Sequence, residues 1–164
     1  MRKTAEIRRG AAKALKKTGT ALLKIDAKKE NLGLIRKFIH VSMRKSGFPG
    51  KKISALAVSL TEHCENLIRH AYAKKRGKVE LQMKLNYPVA KITALDRGPM
   101  FNMNKISIPD TARRVKNGQG GKMGVKTILA LCDRVEYKRK DGYNENSFIV
   151  LDKKPSKKAL RKGK

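Results

Sequence analysis

The segment at residues 78–86, KVELQMKLN, alternates without interruption between polar and apolar side chains. A period of two puts every second side chain on the same side of an extended strand, so one side is apolar and the other polar. This pattern is typical of an antiparallel strand whose sheet has one face against the core and one against solvent. The chain therefore needs a second layer on one side of the sheet only.

The rest of the chain supplies this second layer and further strands. Apolar residues spaced three and four apart predict helices over residues 31–46, 52–74 and 122–132. Strands are predicted over residues 20–26, 89–95, 133–139 and 146–152. The order strand, two helices, hairpin, long loop, helix, hairpin predicts a two-layer α/β sandwich, with a mostly antiparallel mixed sheet and helices on one face.

The charge distribution indicates one domain between two basic tails. The formal net charge is +28, of which residues 1–18 contribute +6 and residues 153–164 contribute +7. The remaining +15 belongs to residues 19–152, where we expect the folded domain. Such a charge attracts nucleotides, nucleic acids, acidic proteins and anionic membrane surfaces, and charge alone does not select among them.

Hydropathy and cysteine usage predict a cytoplasmic protein outside the membrane. No apolar run approaches the roughly 18 residues of a membrane span, and residues 1–18 lack the apolar stretch of a secretory signal. Cys64 and Cys132 each lie within an apolar helical pattern. We therefore expect two buried free thiols, which are typical of a reducing compartment.

The helix predicted over residues 52–74 carries polar side chains opposite its apolar stripe. Glu62 lies opposite the stripe and Asn66 follows one turn later, so their side chains are neighbours. A carboxylate here suits proton abstraction from a nucleophile, and an amide oxygen one turn on suits a Mg²⁺ ligand. A polar face turned towards solvent explains the same pattern, and this helix alone leaves both interpretations open.

Two later segments favour a nucleotide site. ITALDRGPMFN, residues 92–102, ends an apolar strand with Asp96, whose carboxylate suits an adenine amino group beside a tight glycine turn. Residues 116–137 begin with a Gly-rich loop that enters a helix, an arrangement that aims backbone N–H groups at phosphate. The loop of more than twenty residues between strand and helix has the length of an active-site lid.

In this order, the segments ALAVSLTEHCENLIRHAY, LDRGP and GGKMGVKTILALCDRVEY resemble the stand-alone ATPase domains of the GHKL (histidine-kinase-like) superfamily. The resemblance covers about residues 20–152 and is strongest to the bacterial anti-sigma-factor serine/threonine kinases. It implies a Bergerat-type ATP-binding fold, ATP and Mg²⁺ as cofactors, and ATP-dependent protein kinase activity.

The resemblance also implies a role for each matching residue. Glu62 matches the family's general base, and Asn66 matches its Mg²⁺ ligand. Asp96 and Gly98 match the adenine motif. The other matching positions for the bound nucleotide are Gly120, Gly121, Lys122, Gly124 and Ser147. Residues 102–121 correspond to the ATP lid.

The implied partners are a sigma factor and a small STAS-type antagonist protein that is phosphorylated on serine, and homodimerisation is implied as well. Met100 and Lys122 stand where the family patterns have glycine. These departures motivate an alternative, a nucleotide-binding regulatory module that acts by protein–protein binding without kinase activity. The charge motivates another, a nucleic-acid-binding protein, in which the basic tails make non-specific contacts.

Overall fold

The computed structural model describes residues 18–72, 76–106 and 123–152. Both basic tails, most of the expected lid and the Gly120–Lys122 stretch lie outside the described residues. Within the described ranges, no helix is long and apolar enough to cross a lipid bilayer.

The described elements form one sheet and one helical layer. The strands are β1 (Thr18–Asp26), β2 (Lys78–Asn86), β3 (Val89–Asp96), β4 (Arg134–Lys140) and β5 (Tyr143–Leu151). The helices are α1 (Leu32–Lys45), α2 (Gly50–Asn66) and α3 (Met123–Leu131). Short 3₁₀ turns lie at Lys29–Asn31 and Met103–Lys105. The sheet order is β1-β2-β3-β5-β4.

The predicted fold class is confirmed. Every strand pairing among the described residues is antiparallel, so this sheet lacks the mixed character that was expected. One face of the sheet is apolar and lies against the helices. The apolar side chains buried on β2 are Val79, Leu81, Met83 and Leu85, and those buried on β3 are Ala90, Ile92 and Ala94. The apolar residues of α1 and α2 that are fully buried are Ile35, Ile39, Met43, Leu56 and Leu60.

Helix α2 departs from α-helical geometry at its end. The α-helix stops at Asn66 and continues as a π-helical turn over Leu67–Ala71. The backbone N–H of Tyr72 donates to the carbonyl of Leu67 at 2.8 Å, the five-residue spacing of a π turn. Such turns are frequent at functional sites, and this one leads into the buried Tyr72.

The β4–β5 hairpin turns at Asp141 and Gly142, as predicted. Both residues have positive φ, 52° and 78°, the combination that matches the twist of a two-residue hairpin. Strand β5 begins at Tyr143, three residues before the predicted start at 146. Because the Tyr-Asn-Glu-Asn stretch carries few strand-favouring residues, the sequence does not mark it as strand.

Cys64 and Cys132 are free and buried, which confirms the prediction for both thiols. Burial, with a smaller contribution from the Asp96 carboxylate, raises the pKa of Cys64 to about 12. The thiol of Cys64 therefore stays protonated and unreactive at neutral pH.

His63 is part of the core. Its ring is 1% exposed, and its centroid lies 5.1 Å from that of Phe148. Neither ring nitrogen has a hydrogen-bond partner among the described residues. Burial lowers the pKa of His63 from 6.5 to about 4, so the ring is neutral in the folded protein near pH 7.

This buried ring predicts a pH dependence of stability. Between pH 6.5 and about 4 the unfolded chain binds a proton at His63 that the folded chain does not, so the free energy of unfolding falls as pH falls. Across this pH range the free energy of unfolding falls by roughly 3 kcal/mol because of His63. Denaturant titrations at a series of pH values should show a shallower acid-side slope for His63→Leu. The exposed His40, replaced in His40→Leu, is the matched control. An unchanged slope in His63→Leu would contradict the assignment.

Candidate active site

Helix α2 presents Glu62 and Asn66 away from the core, one turn apart and each half-buried. The start of α3 lies directly against them. A Cβ atom added at Gly124 would be 2.6 Å from Oε2 of Glu62 and 3.5 Å from Nδ2 of Asn66. A larger residue at this position would displace the Glu62 carboxylate. Three of the predicted site residues are therefore together.

Asp96 is the last residue of β3 and is 1% exposed. Its Oδ1 accepts hydrogen bonds from the backbone N–H of Gly98 at 2.8 Å and from Nδ2 of Asn144 at 3.0 Å. Its Oδ2 is buried and has no partner among the described residues. Burial raises the pKa of Asp96, against the opposing effects of Asn144, Gly98 and the Arg139 charge. The site thus holds a buried acceptor atom that lacks a donor.

The turn after Asp96 is held against the end of α2. A Cβ atom at Gly98 would lie 2.9 Å from Oδ1 of Asp96 and 3.0 Å from Cβ of Ala71, so the turn fits only with glycine there. The backbone N–H of Arg97 donates to the Tyr72 hydroxyl at 3.1 Å. Ala71 is the last residue of the π-helical turn that follows Asn66. One helix therefore carries Glu62 and Asn66 on its side and contacts the Asp96 turn at its end.

Met100, one of the two departures from the glycine patterns, is 71% exposed. Its side chain therefore does not fill the space beside the Asp96 turn. Lys122, the other departure, lies outside the described residues with Gly120 and Gly121.

The prediction that Ser147 belongs to the site needs correction. Ser147 pairs with Thr93 in the β3–β5 register, and their hydroxyl groups are 2.8 Å apart. Asp96 pairs with Asn144, three positions away on β5, so Ser147 and Asp96 point to opposite faces of the sheet. The residue on the helix side is instead Asn146, whose Oδ1 is buried without a partner among the described residues.

The sequence did not predict three residues that are joined by hydrogen bonds at the Asp96 site: Asn144, Tyr137 and Arg139. All three lie on the β4–β5 hairpin around Asp96, and Oδ1 of Asn144 accepts from Tyr137 and from Arg139, each at 2.9 Å. One feature of the sequence could have indicated Asn144. In β5 the alternating positions 144, 146, 148 and 150 face the core, and the first two are asparagine whereas the last two are Phe148 and Val150. Because the predicted strand began at 146, Asn144 was not assigned a face.

Comparison with known proteins agrees with this geometry. Residues 25–149 match the family described as Histidine kinase-like ATPase domain. Since the match spans most of the chain, the protein belongs to this family. The sequence-based resemblance to the GHKL superfamily is confirmed.

Among individual proteins, the chain is similar to the serine-protein kinase RsbW of Bacillus cereus (strain AH187). The two are 25% identical over 124 residues, which is 73% of this chain and 78% of the relative. RsbW of Bacillus thuringiensis subsp. konkukian (strain 97-27) matches at the same identity and coverage. The structure of the RsbU and RsbW domains of Rv1364c from Mycobacterium tuberculosis superposes with a TM-score of 0.58 at 16% identity. That match covers 84% of this chain and 34% of the other, and it shows the fold.

The buried, unpaired Oδ2 of Asp96 predicts a conflict between stability and ligand binding. Burial raises the pKa of Asp96 in the folded state. Between the pKa of the unfolded chain and this higher pKa, the folded state binds a proton that the unfolded state has lost, so the free energy of unfolding falls as pH rises. Asp96→Asn removes the charge with little change of shape. We expect its melting temperature at pH 7 to rise by about 2–4 °C and its ATP affinity to fall by at least about tenfold.

Calorimetry and ATP titration on the same samples check both halves of this prediction. Asp141→Asn, in the exposed β4–β5 turn, makes the same charge change away from the site and should leave ATP affinity unaltered. The stability gain of Asp96→Asn should vanish below about pH 4, where the carboxyl is protonated in both states. Undiminished ATP affinity in Asp96→Asn would rule out this carboxylate as a ligand contact.

Proposed function

We propose that this protein is a cytoplasmic, ATP-dependent serine/threonine kinase of the anti-sigma-factor type. It phosphorylates a STAS-type antagonist protein and thereby regulates a sigma factor. The observation that carries the proposal is the convergence of Glu62 and Asn66 on Gly124, on the helix whose end contacts the Asp96 turn. Oδ2 of Asp96 is buried there without a donor among the described residues. The RsbW relatives are serine-protein kinases, and the two free thiols suit a reducing cytoplasm.

The residues present fit Mg-ATP. Oδ2 of Asp96 is an acceptor in need of an N–H donor, which the amino group of adenine provides. The absence of a side chain at Gly124 keeps the space next to Glu62 and Asn66 open. Asn66 would give Mg²⁺ one neutral oxygen ligand, in keeping with the preference of this ion for phosphate and water as its other ligands.

Bound Mg-ATP would supply the γ-phosphoryl group and neutralise part of its charge. The chain's own part is positioning and proton transfer. Asp96 would hold the adenine base, and Asn66, one helical turn from Glu62, would hold the metal. The carboxylate of Glu62 accepts the hydroxyl proton of the partner's serine while that oxygen bonds to the γ-phosphorus and the bond to ADP breaks.

The proposal predicts that Glu62→Gln separates binding from phosphate transfer. Glutamine keeps the shape of glutamate but cannot take up the proton. We expect transfer to a purified STAS-type antagonist to fall about 10²–10⁴-fold, with the Mg-ATP dissociation constant changed only a few-fold. Phosphoserine mass spectrometry measures the first quantity, and titration calorimetry measures the second.

The outcomes of this experiment distinguish the candidate functions. Transfer by Glu62→Gln at the wild-type rate would contradict the role of Glu62. A wild type that binds Mg-ATP tightly but transfers no phosphate would instead support the regulatory module without kinase activity. Salt-sensitive nucleic-acid binding that disappears when residues 1–18 and 153–164 are removed would support the third candidate.

Gly124→Ala tests the close approach of α3 to α2. The added Cβ would displace the Glu62 carboxylate, so we expect phosphate transfer to fall at least about tenfold. Stability should hold or rise, since alanine is favoured over glycine in a helix by about 1 kcal/mol and the side-chain end of Glu62 can move aside. Gly33→Ala is the matched control, because a Cβ there meets nothing within 4 Å on α1. Equal activity of the two variants would disprove the contact.

A further inference from the structure

Asn144 makes more polar contacts around Asp96 than any predicted site residue. It is 1% exposed, at the start of β5, directly opposite Asp96 in the strand register. Its Nδ2 lies 3.0 Å from Oδ1 of Asp96, 3.1 Å from the carbonyl oxygen of Gly98 and 3.0 Å from that of Pro99, so its two N–H groups are shared among three acceptors. One amide group therefore ties the end of β3 to the turn that follows it.

The orientation of this amide follows from its neighbours. Arg139 donates to the other end of the Asn144 amide at 2.9 Å, and a guanidinium group has donors only. The oxygen of Asn144 must therefore face Arg139. The Tyr137 hydroxyl also donates to this oxygen, at 2.9 Å. With its oxygen held by two donors, the NH₂ group faces the acceptors around Asp96.

This arrangement leaves the Asp96 carboxylate with a single open oxygen. Oδ1 already accepts two hydrogen bonds, from Gly98 and from Asn144. The carbonyl oxygens of Gly98 and Pro99 are also engaged by Asn144. The other carboxylate oxygen of Asp96, Oδ2, is buried and still lacks a donor among the described residues.

A carboxylate with one open oxygen discriminates between purines. Adenine presents an amino donor at position 6, where guanine presents a carbonyl acceptor that a carboxylate repels. Guanine can pair with a carboxylate through its adjacent ring N–H and amino donors, but that pairing uses both carboxylate oxygens. Because Asn144 occupies Oδ1, the two-point pairing with guanine is blocked while the one-point contact with adenine remains.

We propose that Asn144 is a positioning residue that sets base selectivity: by engaging Oδ1 of Asp96 it restricts the site to 6-aminopurine nucleotides. This inference rests on the proposed ATP-binding function and adds to it the residue that excludes 6-oxopurines. Asn144 acts through Asp96 and the 98–99 turn.

The test is the ratio of affinities for the magnesium complexes of the non-hydrolysable analogues AMP-PNP and GMP-PNP. Asn144→Leu keeps a similar side-chain volume but has no amide. We expect the preference for the adenine nucleotide to shrink at least about tenfold, through weaker AMP-PNP binding and retained or stronger GMP-PNP binding. Asn144→Ser introduces a smaller side chain that is still polar, and it should change the affinity ratio in the same direction. It replaces Asn144→Leu in the test if the leucine variant fails to fold.

Thr93→Val is the matched control. It breaks the hydroxyl contact with Ser147 between the same two strands, β3 and β5, on the face away from Asp96. If Asn144 had a purely structural role, its replacement would weaken the binding of both nucleotides by the same factor, and the affinity ratio would not change. This result would overturn the inference while leaving ATP binding in place. A wild type that binds neither analogue would overturn the proposed function, and the inference with it.

Discussion

The packing of α2 against one face of the antiparallel sheet is the constraint on which the rest of the structure depends. The apolar stripe of this helix lies in the core at Leu56, Leu60 and Cys64. Once that side is buried, the opposite side cannot rotate, so Glu62 and Asn66 stay half-buried next to Gly124. The same helix ends in the π turn that meets the Asp96 turn through Ala71 and Tyr72. Core packing and site geometry are therefore set by one element.

The interface between helix and sheet also holds unpaired polar atoms. Oδ2 of Asp96, Oδ1 of Asn146 and both ring nitrogens of His63 are buried without partners among the described residues. Each such group destabilises a folded protein by about 1–3 kcal/mol. A ligand that gives Asp96 a donor would remove part of this penalty, which links nucleotide binding to stability. The His63 ring packs against the ring of Phe148 instead, with its centroid 5.1 Å away.

The positive charge of the chain is arranged around the site as well as in the tails. Arg139 bonds to Asn144 and lowers the pKa of Asp96 against the effect of burial. Arg97 lies over the ring of Tyr143, 4.4 Å from its centroid, next to the same turn. A basic environment of this kind attracts nucleotide phosphates and acidic protein surfaces alike.

The sequence by itself determined the fold class, the elements and most of the motif residues. Alternation over 78–86 and the apolar stripe of α2 are local patterns, and local periodicity is enough to say which side of each element is buried. The resemblance to the GHKL superfamily then identified Glu62, Asn66, Asp96, Gly98 and Gly124 as candidate site residues.

Only the tertiary structure decided which of these residues meet and which residues support them. The Gly124 contact joins elements some sixty residues apart, and the placement of Asn144 and Ser147 depends on the β3–β5 register. Register is a relation between two strands, and a shift of one residue reverses the face of every side chain. The sequence could therefore mark Asp96 as a candidate ligand residue, whereas the contact of Asn144 with it depends on the pairing of β5 with β3.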